Sequence, residues 1–131
     1  MSYFSFVEQY ADQIGGQFTS YDSISSVFVV PVSDGRFQTV LLSVNKSGSG
    51  KDRALISSKI CEAFSSINFR ELIADAAQFE YSKFVIDNGI LKVEAAFPIG
   101  AIPEDEVKFI IQEVARLADT YEMKLTGKDI H

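Results

Sequence analysis

The sequence contains a single cysteine, Cys61, and a single histidine, His131. One thiol cannot close an internal disulfide, which points to a reducing, cytoplasmic setting. With so few ligands and bases of these types, neither a Cys/His zinc site nor Ser-His-Asp catalysis is expected. No run of 18 apolar residues occurs, so no transmembrane helix is predicted. The opening Met1-Ser2-Tyr3-Phe4-Ser5 lacks a basic region, so no signal peptide is expected either. Positive charge is also scarce: 12 basic residues stand against 18 acidic ones, for a net charge of −6. They are scattered, with only Lys46, Lys51 and Arg53 close together, so no basic stripe for phosphate backbones exists and no nucleic-acid partner is expected. The same negative field disfavours an anionic membrane surface.

Within 131 residues, 47% are hydrophobic and 23% charged, which is the composition of one globular domain with its own core. The acidity is uneven. Residues 1–65 hold five basic and six acidic side chains, and residues 66–131 hold seven and twelve. It serves first of all to keep a small domain soluble.

Along the chain, Tyr3, Phe4, Phe6, Val7, Tyr10, Ala11 and Ile14 recur at helical spacing, and Gly15-Gly16 end the pattern. A helix is predicted over residues 3–14. Residues 17–21 and 26–33 read as strands, the second rich in valine and carrying Pro31, which suits an edge or a bulge. Asp34-Gly35 signals a two-residue hairpin turn into a return strand over residues 36–45. A Ser/Gly-rich loop follows, then an expected strand over residues 54–61 with Ala54, Ile56 and Ile60 on one face. Asn68 reads as the N-cap of a helix over residues 68–78, with Glu71 completing a partial capping box. Residues 81–86 and 90–97 flank Asp87-Asn88-Gly89 as a second hairpin. Pro103 opens a long helix to about residue 124, with Glu104, Asp105 and Glu106 in its first turn. The expected fold is α+β: a twisted antiparallel sheet of five or six strands packed by three helices, in the order α-β-β-β-(β)-α-β-β-α, as one domain over residues 1–131.

Three motifs invite chemistry and each has a plainer reading. Gly48-Ser49-Gly50-Lys51 resembles the end of a P-loop, but Asn45 stands at its first glycine and Asp52 at its magnesium-binding hydroxyl. A hairpin connection is the better reading. Glu104, Asp105 and Glu106 complement a helix dipole, and Glu113, Arg116 and Asp119, three residues apart, read as a solvated ion-pair face. Asp119, set among apolar neighbours, is the polar residue to watch. Cys61 has no partner group and reads as a small buried hydrophobe. No catalytic, metal-binding or cofactor-binding residues emerge, and a non-enzymatic protein without cofactor is expected.

Two apolar surfaces are candidates for contact. Tyr3, Phe4, Phe6 and Tyr10 make an aromatic cluster on the first helix, either core or a partner-binding face. Phe69, Leu72, Ile73 and Ala76 form a stripe on the middle helix that Ala77 and Phe79 widen beyond what docking on one sheet requires. That excess makes the stripe a candidate homodimer interface.

The segment Phe84-Val85-Ile86-Asp87-Asn88-Gly89-Ile90-Leu91-Lys92-Val93-Glu94-Ala95-Ala96-Phe97-Pro98, followed by the helix containing Val114-Ala115-Arg116-Leu117-Ala118-Asp119 and then Leu125-Thr126-Gly127, resembles the type III secretion chaperone-like domains. These include the class I secretion chaperones and YbjN-type domains. The resemblance implies a compact α+β protomer, commonly dimeric through its middle helix and adjacent strands. It also implies the capture of an extended client segment on apolar patches without nucleotide. It carries over no catalytic residue and names no client. Three functions follow as expectations: a protein-binding or chaperone-like module, a small-molecule sensor or enzyme using groups such as Glu80, Tyr81 and Asp119, or a structural subunit of a larger assembly.

Overall fold

The computed structural model describes residues 5–20 and 25–126. Helix α1 (Ser5–Ile14) begins the described chain and is followed by strands β1 (Gln17–Ser20), β2 (Ser25–Pro31), β3 (Phe37–Lys46) and β4 (Asp52–Glu62). Helix α2 (Phe69–Ala76), strands β5 (Lys83–Asp87) and β6 (Ile90–Pro98), and helix α3 (Glu104–Thr126) complete it. The six strands form one antiparallel sheet in the order β1-β2-β3-β4-β6-β5. The fold is α+β, with β1 and β5 at the two edges.

Local chemistry explains each boundary. In α1 the stripe predicted from spacing turns Val7 and Ala11 fully inward, and the helix stops at Gly15, whose φ of 76° is the left-handed conformation that ends helices. Gly16 then passes so close to β2 that a Cβ on it would lie 2.2 Å from the Val29 carbonyl oxygen. Gly16→Ala is therefore expected to lower stability by about 1–3 kcal/mol in urea unfolding, through overpacking against backbone that cannot yield. Gly15→Ala, with open space around its Cβ, should show only the positive-φ penalty of about 1 kcal/mol.

The β2–β3 turn uses three residues instead of the two expected from Asp34-Gly35. Val32 N–H donates to the Arg36 carbonyl at 2.9 Å, and Ser33, Asp34 and Gly35 form the loop between them. Asp34 and Gly35 both take positive φ, 60° and 74°, so the sequence signal located the turn and missed only its length. The β5–β6 turn lies where expected but is one residue shorter than Asp87-Asn88-Gly89. Asp87 pairs with Ile90 as the last residue of β5, and Asn88 at φ 52° and Gly89 at 77° close a two-residue hairpin. Strand β5 starts at Lys83 rather than at residue 81. The Asn68 side chain accepts from Glu71 N–H at 3.1 Å and caps α2 as expected. Strand β4 is longer at both ends than residues 54–61. A bulge between Lys59 and Cys61 shifts its register on β6, and Ile60 and Cys61 are in consequence both buried.

All three helices lie on one face of the sheet. Helix α3 crosses β3, β4 and β6, α1 covers β1 and β2, and α2 packs on β5. Val107, Ile110, Ile111, Val114, Ala115 and Ala118 of α3 meet Val40, Leu42, Ile56, Val93 and Ala95 of the central strands. Burial alternates strictly along β2 and β6, the pattern of strands with one covered and one open face.

Candidate functional site

The face opposite the helices carries no other element among the described residues. Because cross-strand partners share a face, its occupants follow from the register. Val27 pairs with Leu41, Val29 with Thr39 and Pro31 with Phe37. Leu41 in turn pairs with Ser57, and Lys59 with Lys92. Val27, Val29, Phe37 and Leu41 make an apolar stripe along β2 and β3, in which Phe37 is 48% exposed. Beside it run Lys59 on β4, Lys92 and Glu94 on β6 and Lys83 on β5. A groove of about 370 Å³ lies where the two bands meet, lined by Val27, Thr39, Leu41, Ser57, Lys59 and Lys92. Lys59 stands directly opposite Lys92, a like-charge pair that is unfavourable in itself. Lys92 is held by Asp87 at 3.0 Å, and Lys59 is exposed at the groove wall. The site thus joins an apolar floor to a cationic rim on a protein whose net charge is −6.

A second hollow, about 240 Å³, lies between α2 and β5 and is lined by Phe69, Leu72, Ile73, Phe84, Ile86 and Leu91. Here the stripe read from the sequence divides. Leu72 is buried in the core, so it cannot present itself to a partner. Phe69 and Ala76 are half-buried, and Ile73 points out with 72% of its surface exposed. The cause is the shortness of α2, which lies over the edge strand β5 with the end of α3 beside it and turns one ridge inward. Of the aromatic cluster on the first helix, Tyr3 and Phe4 fall outside the described residues. Phe6 and Tyr10 are half-buried against the core. The Tyr10 ring packs on Phe28 with centroids 5.9 Å apart, and its hydroxyl accepts from Gln112 Nε2 at 2.9 Å. Those contacts make Phe6 and Tyr10 part of the packing of α1 rather than a free partner-binding face.

The polar residues of α3 correct the ion-pair reading. Arg116 is exposed, but Glu113 and Asp119 are both buried, each facing a partner far away in sequence. Glu113 accepts from the backbone N–H groups of Glu80, Tyr81 and Ser82 at 2.9, 3.0 and 2.9 Å, and from the Ser82 hydroxyl at 2.7 Å. Burial works to raise its pKa, but the Ser82 hydroxyl and the three amides together outweigh it and hold the carboxyl below its ordinary value. Asp119 binds Arg36 through both oxygens, at 2.9 Å to Nε and 2.8 Å to Nη2. Gln38, fully buried, donates to Ser58 Oγ and to the Lys59 carbonyl beside the bulge. These groups brace the fold; no sequence signal revealed them beyond the apolar neighbours of Asp119.

Glu80, Tyr81 and Asp119 do not converge on one pocket. Tyr81 donates to Glu106 and Asp119 lies 13 residues further along α3, about 20 Å by helical rise. The Glu106 hydrogen bond, followed by burial, raises the Tyr81 pKa. Tyr121 donates to Asp75 at 2.7 Å, and burial together with that bond pushes its pKa up to about 12. The Ser/Gly-rich loop is a tight turn closed by Ser47 N–H on the Lys51 carbonyl and by a 2.6 Å Lys46–Asp52 ion pair, with strand β4 directly after it. Among the described residues no group of three or more His, Cys, Asp or Glu is placed to hold a metal ion, and no helix is long and apolar enough to cross a membrane. No family model and no curated protein matches the chain.

Proposed function

We propose that this protein is a non-enzymatic, chaperone-like binding module that recognises an extended segment of a partner protein on the helix-free face of its sheet. The observation that carries the reading is the apolar stripe of Val27, Val29, Phe37 and Leu41 left open beside Lys59 and Lys92. A contiguous apolar stripe beside polar and charged groups is a surface suited to binding a protein segment. The exposed Lys59 complements a segment that carries an Asp or Glu beside its apolar residues, while the overall negative charge repels acidic chains without an apolar anchor. The resemblance to type III secretion chaperone-like domains supports the same reading, since those domains hold extended clients on apolar patches.

Peptide display on the immobilised protein tests this. The selected peptides should combine apolar residues with an acidic one, and their binding should shift the amide resonances of Val27, Leu41, Ser57 and Lys59. Leu41→Asp should leave the fold intact, because Leu41 is 39% exposed, and weaken binding about tenfold or more. Selection of peptides without acidic residues, or shifts confined to another surface, would count against the proposal.

A further inference from the structure

The sheet is forked between its two central strands, β3 and β4. Strand β3 stays paired with β2 as far as Phe37–Pro31, and β4 stays paired with β6 as far as Glu62–Ile90. The ladder between β3 and β4 stops earlier, at Leu41–Ser57. Ser47 N–H on the Lys51 carbonyl sets the phase of this hairpin, so Asn45–Arg53, Ser43–Leu55 and Leu41–Ser57 are hydrogen-bonded rungs. Thr39 and Lys59 stand where the next rung would be, and it is missing. Side chains have taken its two carbonyls instead. Ser58 Oγ donates to the Thr39 carbonyl at 2.6 Å. Gln38 Nε2 donates to the Lys59 carbonyl at 3.2 Å and to Ser58 Oγ at 3.1 Å. The amides of Thr39 and Lys59 thus face the gap with their ladder acceptors occupied.

The opening is kept at a cost. Gln38 stands on the inward face of β3 with Val40 and Leu42, where an apolar residue would extend the core. Its Nε2 must face the Lys59 carbonyl, which can only accept, so Oε1 is left buried without a hydrogen bond. Sequences break a local rule in this way where function needs it. The groove of the open face lies over the fork, with Thr39, Ser57, Ser58 and Lys59 in its lining.

We infer that the fork is the specificity pocket of the groove: it seats the carboxylate of an Asp or Glu in the bound segment, and Gln38 and Ser58 are positioning residues that hold it open. The inference rests on the segment-binding reading and adds which atoms recognise the acid. The fork offers amide donors and withholds its acceptors, so it takes an oxygen acceptor and rejects a donor such as lysine. Lys59 supplies both an amide and, at the exposed groove wall, an ammonium that favours an anionic acceptor.

Hydrogen exchange of the free protein tests the fork without any ligand. The Thr39 and Lys59 amides should exchange about tenfold faster, or more, than those of Leu41 and Ser57 one rung away. Gln38→Leu combined with Ser58→Ala releases both carbonyls, so the missing rung should form and protect the two amides like their neighbours. Ser58→Ala alone should slow exchange at Lys59, whose amide then finds the Thr39 carbonyl. Binding is read with two apolar tetrapeptides, blocked at both ends, that differ only in Asp against Asn. The Asp peptide should bind about tenfold more tightly and shift the Thr39 and Lys59 amide resonances. Lys59→Met keeps the backbone amide and should retain part of that preference, whereas the double variant keeps Lys59 and should lose it. Thr39 and Lys59 amides as protected as Leu41 in the wild type would overturn the inference. So would an Asp preference that survives in the double variant, since the ammonium alone would then read the acid. If both peptides bind equally, only this inference falls; if neither binds, the segment-binding reading falls and takes it along.

Discussion

Glu113→Ala is expected to destabilise the protein by about 3–5 kcal/mol, the sum of several donors left without an acceptor in a largely dry setting. The wild-type carboxylate serves three consecutive amides and one hydroxyl at the point where the chain leaves α2 and enters β5. Water reaches Tyr81 but not Ser82, so the penalty arises mainly at Ser82 N–H and Oγ. Glu113→Gln keeps one acceptor oxygen but turns an amide donor toward donors, and should lose a large part of the same amount. Acid titration provides an independent measurement. The Glu113 pKa is lowered on folding from its ordinary value of 4.5. Its contribution is therefore complete above that ordinary value and lost as pH falls through the lower native one. Urea unfolding of wild type and Glu113→Gln across this range should show a gap that is constant above pH 4.5 and narrows below it. A gap independent of pH would mean that the charge on Glu113 does not matter.

Arg36→Met is expected to cost about 3–5 kcal/mol, because it leaves the Asp119 carboxylate buried without its cation. The Asp119 side chain is 4% exposed, against 25% for Arg36, so the carboxylate cannot turn to water while the guanidinium partly can. The fork of Nε and Nη2 meets both carboxylate oxygens, a geometry that lysine cannot reproduce, so Arg36→Lys should recover only part of the loss. Arg36→Met combined with Asp119→Leu removes both charges and should return close to wild-type stability, or exceed it. A double-mutant cycle by chemical denaturation should give a coupling above about 2 kcal/mol. Additive single effects would show that the bridge is only a surface contact. The bridge also ties the β2–β3 turn to the far end of α3, across a sequence separation of 83 residues.

The elements of this fold were legible because each rests on local chemistry. Asn68 caps α2 with its own side chain, Asn88-Gly89 tolerates positive φ, and the apolar stripe of α3 repeats at helical spacing for 23 residues. None of these needs knowledge of a distant neighbour. The β4 bulge was harder to foresee, because it exchanges one ladder position for the burial of both Ile60 and Cys61. Its freed Lys59 carbonyl is satisfied by Gln38, from the neighbouring strand.

Fold class, element order and the sign of the electrostatic field follow from the order of residues alone. Periodicity, turn chemistry and charge balance are properties of short stretches and sums, and both can be read without coordinates. Which apolar and charged groups reach water is settled by packing between elements distant in the chain. Leu72 and Ile73 are neighbours in one helix, yet one is core and the other faces out, because α2 lies over the edge of the sheet at β5. Glu113 and Asp119 carry the residue types of a solvated helix face, but are buried because their partners arrive from residues 80–82 and from Arg36. The open face of Val27, Leu41 and Lys59 exists because all three helices lie on the other side. That arrangement is made by packing across the whole sheet, which no local pattern encodes.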